Sequence, residues 1–158
     1  MKTWTEHKSL RVILAALLTL GTLPVGVAAQ STQQAGSKTL YQRLGGYDAI
    51  ATFVDTAFPR VATDPKLARL FKGHSTDSKY RQRQLIIDIL CRETGGPCVY
   101  IGRPMGPVHR GLAITEDDWT TFIKIISGAM EELKLSSAEK RELLDIFQQR
   151  FKPDVVEK

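Results

Sequence analysis

The sequence predicts an all-α domain behind an export signal, and three observations carry that expectation. From Leu40 onward apolar residues recur at three- and four-residue spacing, the period of a helix with one buried face. No segment alternates convincingly at period two, and no internal repeat is visible. Helix-opening residues stand ahead of several apolar stripes, as Asp64-Pro65, Thr115 and Ser136 do. The 158 residues are 42% hydrophobic and 25% charged, which suits one domain with a real core and excludes a disordered or fibrous chain.

The first element is not part of that domain. Lys2, Lys8 and Arg11 lead into an apolar run at residues 12–23, and Val27-Ala28-Ala29 supplies the small residues of a signal-peptidase site. The run is short and interrupted by Gly and Pro, which favours a cleaved signal (residues 1–29) over the alternative, a retained membrane anchor. No Cys follows the cleavage site, so a lipid anchor is not expected. Cleavage after Ala29 makes Gln30 the mature N-terminus, in the periplasm of a bacterium, with membrane contact only during export. It also removes three basic residues and one acidic residue, taking the net charge from +5 to +3. The remaining charge is mild, Lys79-Tyr80-Arg81-Gln82-Arg83 reads as a solvated helix face, and no nucleic-acid motif is present. Residues 30–38 are polar and rich in Gln, Ser and Gly, a flexible lead-in to a domain at 39–155.

Within that domain, Ile50, Val54, Ala57, Phe58 and Val61 form one face of a first long helix. Asp64-Pro65 opens a short helical segment that ends near Phe71. Leu85, Ile86, Ile89 and Leu90 give the apolar face of a second long helix, stopped by Gly95-Gly96-Pro97. Residues 95–107 form a loop, since Gly95, Gly96, Pro97, Gly102, Pro104, Gly106 and Pro107 all fall within it. Thr115-Glu116-Asp117-Asp118 resembles a capping box, with Asp in place of the usual Glu. It opens a helix with the stripe Trp119, Phe122, Ile123, Ile126, Ala129, Met130 and Leu133. Ser136 caps a last helix carrying Leu143, Leu144, Phe147 and Phe151. Such helices make an ordinary bundle as readily as any other all-α fold. An ordinary bundle does not explain why a long Gly/Pro loop leads into a lone histidine.

That histidine is His109; after signal removal only His74 accompanies it. A neutral imidazole on a short helix is a common ligand of haem iron, although a lone His is more often a surface or core residue. Met105 shares its face if the helix starts that early. The surrounding residues are specific. Leu40-Tyr41-x-x-Leu44-Gly45-Gly46, Val61-x-x-Asp64-Pro65, Leu70-Phe71-x-Gly73 and Thr94-Gly95-Gly96-Pro97-Cys98-x-Tyr100-x-Gly102-Arg103-x-Met105-x-x-x-His109-x-Gly111-Leu112 occur in the order found in group 1 truncated haemoglobins, which the chain resembles over residues 39–155. The resemblance implies a two-over-two helical globin sandwich, haem b (iron protoporphyrin IX) and His109 as the iron ligand.

On the opposite side, rotation of about 100° per residue puts Gln82 within the face centred on Leu85, Ile86 and Ile89, and Gln84 nearly opposite. Gln82 is then a polar amide placed to donate to a bound gas, unless it reaches solvent at the helix edge. Counting back from Gly95-Gly96, the resemblance also assigns Gln82 to a distal position, with Ile86 one turn on. Counting forward from Phe71 disagrees, which implies an insertion between them, and Tyr80 and His74 remain alternatives. Two departures from the family stand out. Many members carry Phe-Tyr in the first long helix, the tyrosine donating to the bound gas; here the pair is Ala57-Phe58, followed by Pro59, which removes a backbone donor and disfavours helical geometry at Phe58. Gly106 replaces a basic residue often found near a haem propionate; Arg103 and Arg110 are the available substitutes. Phe58, Phe71, Tyr100, Met105, Trp119 and Phe122 are candidates for the pocket wall, against the default that such stripes are simply core.

Cys91 and Cys98 are the only cysteines. On one straight helix they would be about 10.5 Å apart, beyond the usual limit of about 7 Å for a disulfide. Gly95-Gly96 breaks the helix between them, so a bridge and a pair of buried thiols both stay open. Their spacing matches neither a zinc cluster nor c-type haem attachment. The residues leave three functional classes. The first is a haem protein binding O2, NO or CO, with NO dioxygenase or peroxidase-like chemistry and an electron-donor reductase as extensions. The second is a six-coordinate electron-transfer or redox/gas-sensing haemoprotein. The third is a helical interaction module without haem.

Overall fold

The computed structural model describes residues 37–157; the expected signal at 1–29 and most of the lead-in at 30–38 lie outside the described residues. Thr39 opens the first short helix, α1 (Leu40–Leu44), with a capping box in which its hydroxyl accepts from Gln42 N–H and the Gln42 side chain accepts from Thr39 N–H. Left-handed Gly45 closes α1 and Gly46 precedes α2 (Tyr47–Thr63). Pro59 does not break α2: the helix runs through it to Thr63, so the distortion expected at Phe58 is not found. Pro59 is exposed, so the carbonyl that loses its donor lies where water reaches it.

Asp64 caps the next segment by accepting from the N–H groups of Lys66 and Leu67, and the chain there settles as a single 3-10 turn, Ala68–Phe71. Ser75 then caps α3 (Thr76–Glu93), which ends at Thr94, whose hydroxyl donates back to the Leu90 carbonyl. The loop after α3 leads to α4 (Met105–His109), and α5 (Glu116–Glu132) starts with the expected Thr115/Asp118 capping box. Ser136 caps α6 (Ser137–Ile146), closing another capping box with Glu139. The sequence stripe continues smoothly into Phe147 and Phe151, but the backbone does not: Phe147–Phe151 is a π-helical turn, followed by α7 (Lys152–Val155). No strand occurs among the described residues.

Helix α2 packs against both α3 and α5, α1 leans on α6, and α4 sits on α7. The core between them takes Ile50, Phe53, Val54 and Ala57 from α2, Ile126, Ala129 and Met130 from α5, and Leu143, Phe147 and Phe151 from the last segments. Ile87 and Met130 are fully buried, each worth roughly 1.5–3 kcal/mol. Ile87 corrects the sequence reading of α3. The deepest face of this helix is Ile87, Leu90, Cys91 and Thr94, whereas Leu85 and Ile86 are half-buried. Gln82, Ile86 and Ile89 form a second face, rotated by roughly 120° at 100° per residue. So α3 serves the core with one side and leaves another for a different purpose. A separate apolar cavity of about 260 Å³ lies among α1, α2, α3, α5 and α6, lined by Leu44, Ile50, Phe53, Leu90, Leu133 and Leu143 among others.

Candidate functional site

Helix α4 is only five residues long and is preceded by Pro104, whose backbone carbonyl accepts from Val108 N–H. Because it begins at Met105, Met105 and His109 lie one turn apart, and the Met105 carbonyl stands 2.8 Å from His109 Nδ1. A carbonyl can only accept, so Nδ1 carries the proton and donates it. In the neutral ring Nε2 is then the nitrogen with its lone pair free, the form an imidazole needs to bind a metal. His109 is half-buried.

Both flanks of α4 are tied down. On the N-terminal side, Cys91 and Cys98 are joined in a disulfide with their Cα atoms 5.7 Å apart, which settles the alternative the sequence left open. The chain reversal runs through Gly96, where a Cβ would stand 2.5 Å from the Tyr41 ring and 2.7 Å from the Cys91 sulfur; only glycine fits. Tyr100 donates its hydroxyl to the Arg103 carbonyl, and the Arg92 guanidinium lies over its ring at 5.2 Å. On the C-terminal side, Arg69 reaches from the 3-10 turn to the Leu112 and Ala113 carbonyls (3.0 and 3.1 Å) and to the Asp118 carboxylate (2.6 Å). The Glu157 carboxylate accepts from the N–H groups of Gly111 and Ala113. Burial by itself would raise the Asp118 carboxyl, but hydrogen bonds from Thr115 and the Arg69 charge outweigh it and hold the group below the usual carboxylate range.

The second face of α3 presents Gln82. Its Oε1 is sealed from solvent and has no hydrogen-bond partner, an arrangement that costs about 1–3 kcal/mol if nothing enters to satisfy it. Tyr80 is 67% exposed, and exposed His74 meets the edge of Phe71 at 6.1 Å, so neither competes for Gln82's inner position. Phe58 and Phe71 pack edge to face at 5.6 Å. Phe58, Phe71, Ile86, Met105 and Phe122 are all half-buried. Trp119 differs: it is 5% exposed, packed at 5.1 Å from Phe122, and its indole N–H goes to Gln148 Oε1, which makes it a core residue behind Phe122. Tyr100 is engaged in folding the loop. Arg69 and Glu157 had no signal in the sequence, because their partners lie more than forty residues away and, Asp118 apart, are backbone groups. An imidazole with a free lone pair, an unpartnered buried amide and half-covered aromatic rings fit a flat apolar prosthetic group with one metal coordination site.

Comparison with known proteins agrees. Residues 39–155 match the bacterial-like globin family. The chain is 36% identical over 107 residues to a group 1 truncated haemoglobin of Nostoc sp., covering 68% of this chain and 88% of that one. It is 35% identical over 107 residues, with the same coverage, to that of Nostoc commune. Among solved structures, a ferric point mutant of the truncated haemoglobin from Tetrahymena pyriformis superposes with a TM-score of 0.69 at 26% identity, covering 77% of this chain and 100% of that one. The 2/2 haemoglobin of Synechococcus sp. superposes at 0.68 with 23% identity, over 77% of this chain and 100% of that one, a likeness of fold.

Proposed function

Because the chain belongs to the bacterial-like globins, and within them to the group 1 truncated haemoglobins, it is a haem-binding protein of the two-over-two fold, and we propose that His109 holds haem b while Gln82 faces a diatomic gas on the other side. The observation that carries this reading is the Nδ1 hydrogen bond to Met105, which fixes the His109 tautomer with Nε2 free. Haem supplies an iron centre that binds O2, NO or CO and changes between ferrous and ferric states. The chain supplies the rest. Gln82 has an amide that, turned about its last torsion, donates into the pocket. Phe58 and Ile86 exclude water there without offering a hydroxyl. In this reading Cys91 and Cys98, bonded to each other, are not attachment points for the haem. NO dioxygenation or peroxide reduction at this site requires an electron-donor reductase. Export to the periplasm belongs to the same proposal, supported by the basic and apolar start of the chain and by a disulfide that an oxidising compartment sustains.

His109→Ala is expected to abolish stoichiometric haem binding or leave a weakly ligated iron. A ferrous–CO spectrum identical to that of the wild type, at full haem content, would remove His109 from the site. The six-coordinate alternative calls for a second protein ligand; the other imidazole among the described residues, His74, is exposed beside Phe71. Ferrous spectra with and without CO distinguish the two, since a six-coordinate ferrous form shows sharp split visible bands before CO is added.

A further inference from the structure

The loop between α3 and α4 is held by very little. Between Gly96, whose N–H donates to the Cys91 carbonyl, and Pro104, whose carbonyl accepts from Val108, residues 97–103 make no backbone–backbone hydrogen bond. Val99 and Ile101 point away from the core, 77% and 82% exposed, so the loop has no apolar anchor of its own beyond Cys98 and Tyr100. Two attachments remain: the Tyr100 ring beneath the Arg92 guanidinium, at the loop's centre, and the disulfide to Cys91, at its start. Cys91 itself is fully buried on the core face of α3, so the bond ties the loop to the deepest side of the helix. What the loop delivers is α4, a five-residue helix held otherwise by its seat on α7 and by the Arg69 and Glu157 contacts to the residues after it.

We propose that Cys91 and Cys98 are positioning residues for His109, and that the state of their bond sets how firmly the proximal side retains haem; this rests on His109 being the haem ligand. A thiolate from an external dithiol attacks the Cys98 sulfur, the half-buried one, and Cys91 leaves as thiolate and takes up a proton. The dithiol then closes to its own disulfide and releases Cys98, so two electrons and two protons pass from the dithiol to the protein's two sulfurs. The loop is left with Tyr100 alone, the N-terminal end of α4 gains freedom while its C-terminal end keeps the Arg69 and Glu157 ties, and the Met105–His109 pair is presented over a wider range of orientations. Loss of a partner that orients a metal ligand typically weakens binding by 10–100-fold.

The test uses the haem-loaded full chain with iron kept ferrous in every arm: wild type oxidised, wild type treated with dithiothreitol, and the C91S/C98S double variant. Haem transfer to an excess of an acceptor globin is expected to accelerate by roughly tenfold or more in the reduced wild type and in the double variant. Reoxidation restores the wild-type rate, and the double variant does not respond to dithiothreitol. The iron–histidine stretching band is expected to broaden or shift in the same two samples, a change that general loss of stability would not produce. In haem-free protein, amide exchange at Val108 and Arg110, whose N–H groups donate within α4 and at its end, speeds up on reduction while α5 stays protected. Unchanged transfer rate and unchanged stretching band, with both thiols verified free by mass, would overturn the proposal. A His109→Ala variant run in parallel separates this from failure of the ligand assignment: if it keeps haem normally, the assignment itself is wrong, whatever the disulfide does.

Discussion

In the function proposed above, Gln82 and Phe58 set what the distal side offers a gas molecule. Phe58 brings a ring where many relatives bring a hydroxyl, so one strong donor is absent, and a hydrogen bond to a partly charged acceptor is worth about 1.5–3 kcal/mol. At about 1.4 kcal/mol per tenfold, that is roughly one to two decades in the oxygen dissociation rate. Phe58→Tyr is therefore expected to slow oxygen release by up to that amount and Gln82→Leu to speed it, with CO release changing less because CO is a weak acceptor. Stopped-flow and flash photolysis on both variants check this; an unchanged oxygen rate in Gln82→Leu would rule out its distal role. At this scale the sequence was readable where one number sufficed. Rotation of about 100° per residue was enough to separate Gln82 from Gln84. It was not enough to find Ile87, because which side of α3 lies deepest depends on α2 packing against it, a long-range fact.

Helix ends proved more legible than helix interiors, since capping is local chemistry. The Thr115/Asp118 and Ser136 caps were readable from four residues each and stand as expected. The second use of Asp118 was not readable: it also receives Arg69, which spans from the 3-10 turn to the loop after α4. The Asp118 carboxyl titrates lower when folded than when unfolded, so its contribution is complete above the ordinary carboxylate range and is lost as pH falls through the folded value. Asp118→Asn keeps an acceptor for Thr115 but loses the charge, and is expected to cost about 1–3 kcal/mol at neutral pH. Below the carboxylate range the two proteins should converge, giving the variant a shallower acid limb. Denaturant titrations at a series of pH values, followed by circular dichroism, measure it; parallel curves at all pH values would contradict the pairing.

For the whole molecule, the sequence disclosed the class through the irregular stretch at residues 95–104 and the short helix it leads into, because a long loop rich in Gly and Pro is more often built for a site than for packing. Helical stripes alone left a bundle equally open. Export is the remaining molecule-scale expectation: N-terminal sequencing of native protein should start near Gln30, and a chain starting at Met1 or Lys2 in the cytoplasm would refute it. The π-turn at Phe147–Phe151 has a consequence in the language of insertions and deletions. A π-turn holds one residue more than the α-helix it interrupts, so it acts as a reading-frame shift in the helical phase, carried by α7 and everything beyond. Removing a single codon there, Gln149 for instance, lets the turn relax to α with the following segment left in its present rotation. An insertion is different: one more residue carries the segment round by roughly 100°, so Val155 would swing out of the core, Glu157 off Gly111 and Ala113, and α4 would lose the surface it sits on. Deleting exposed Gln149 should leave haem bound, while inserting one alanine after it should empty the protein of haem although no residue of the pocket has changed; haem content and absorbance of the two variants read the difference. The helix can lose a residue at this one place but cannot gain one.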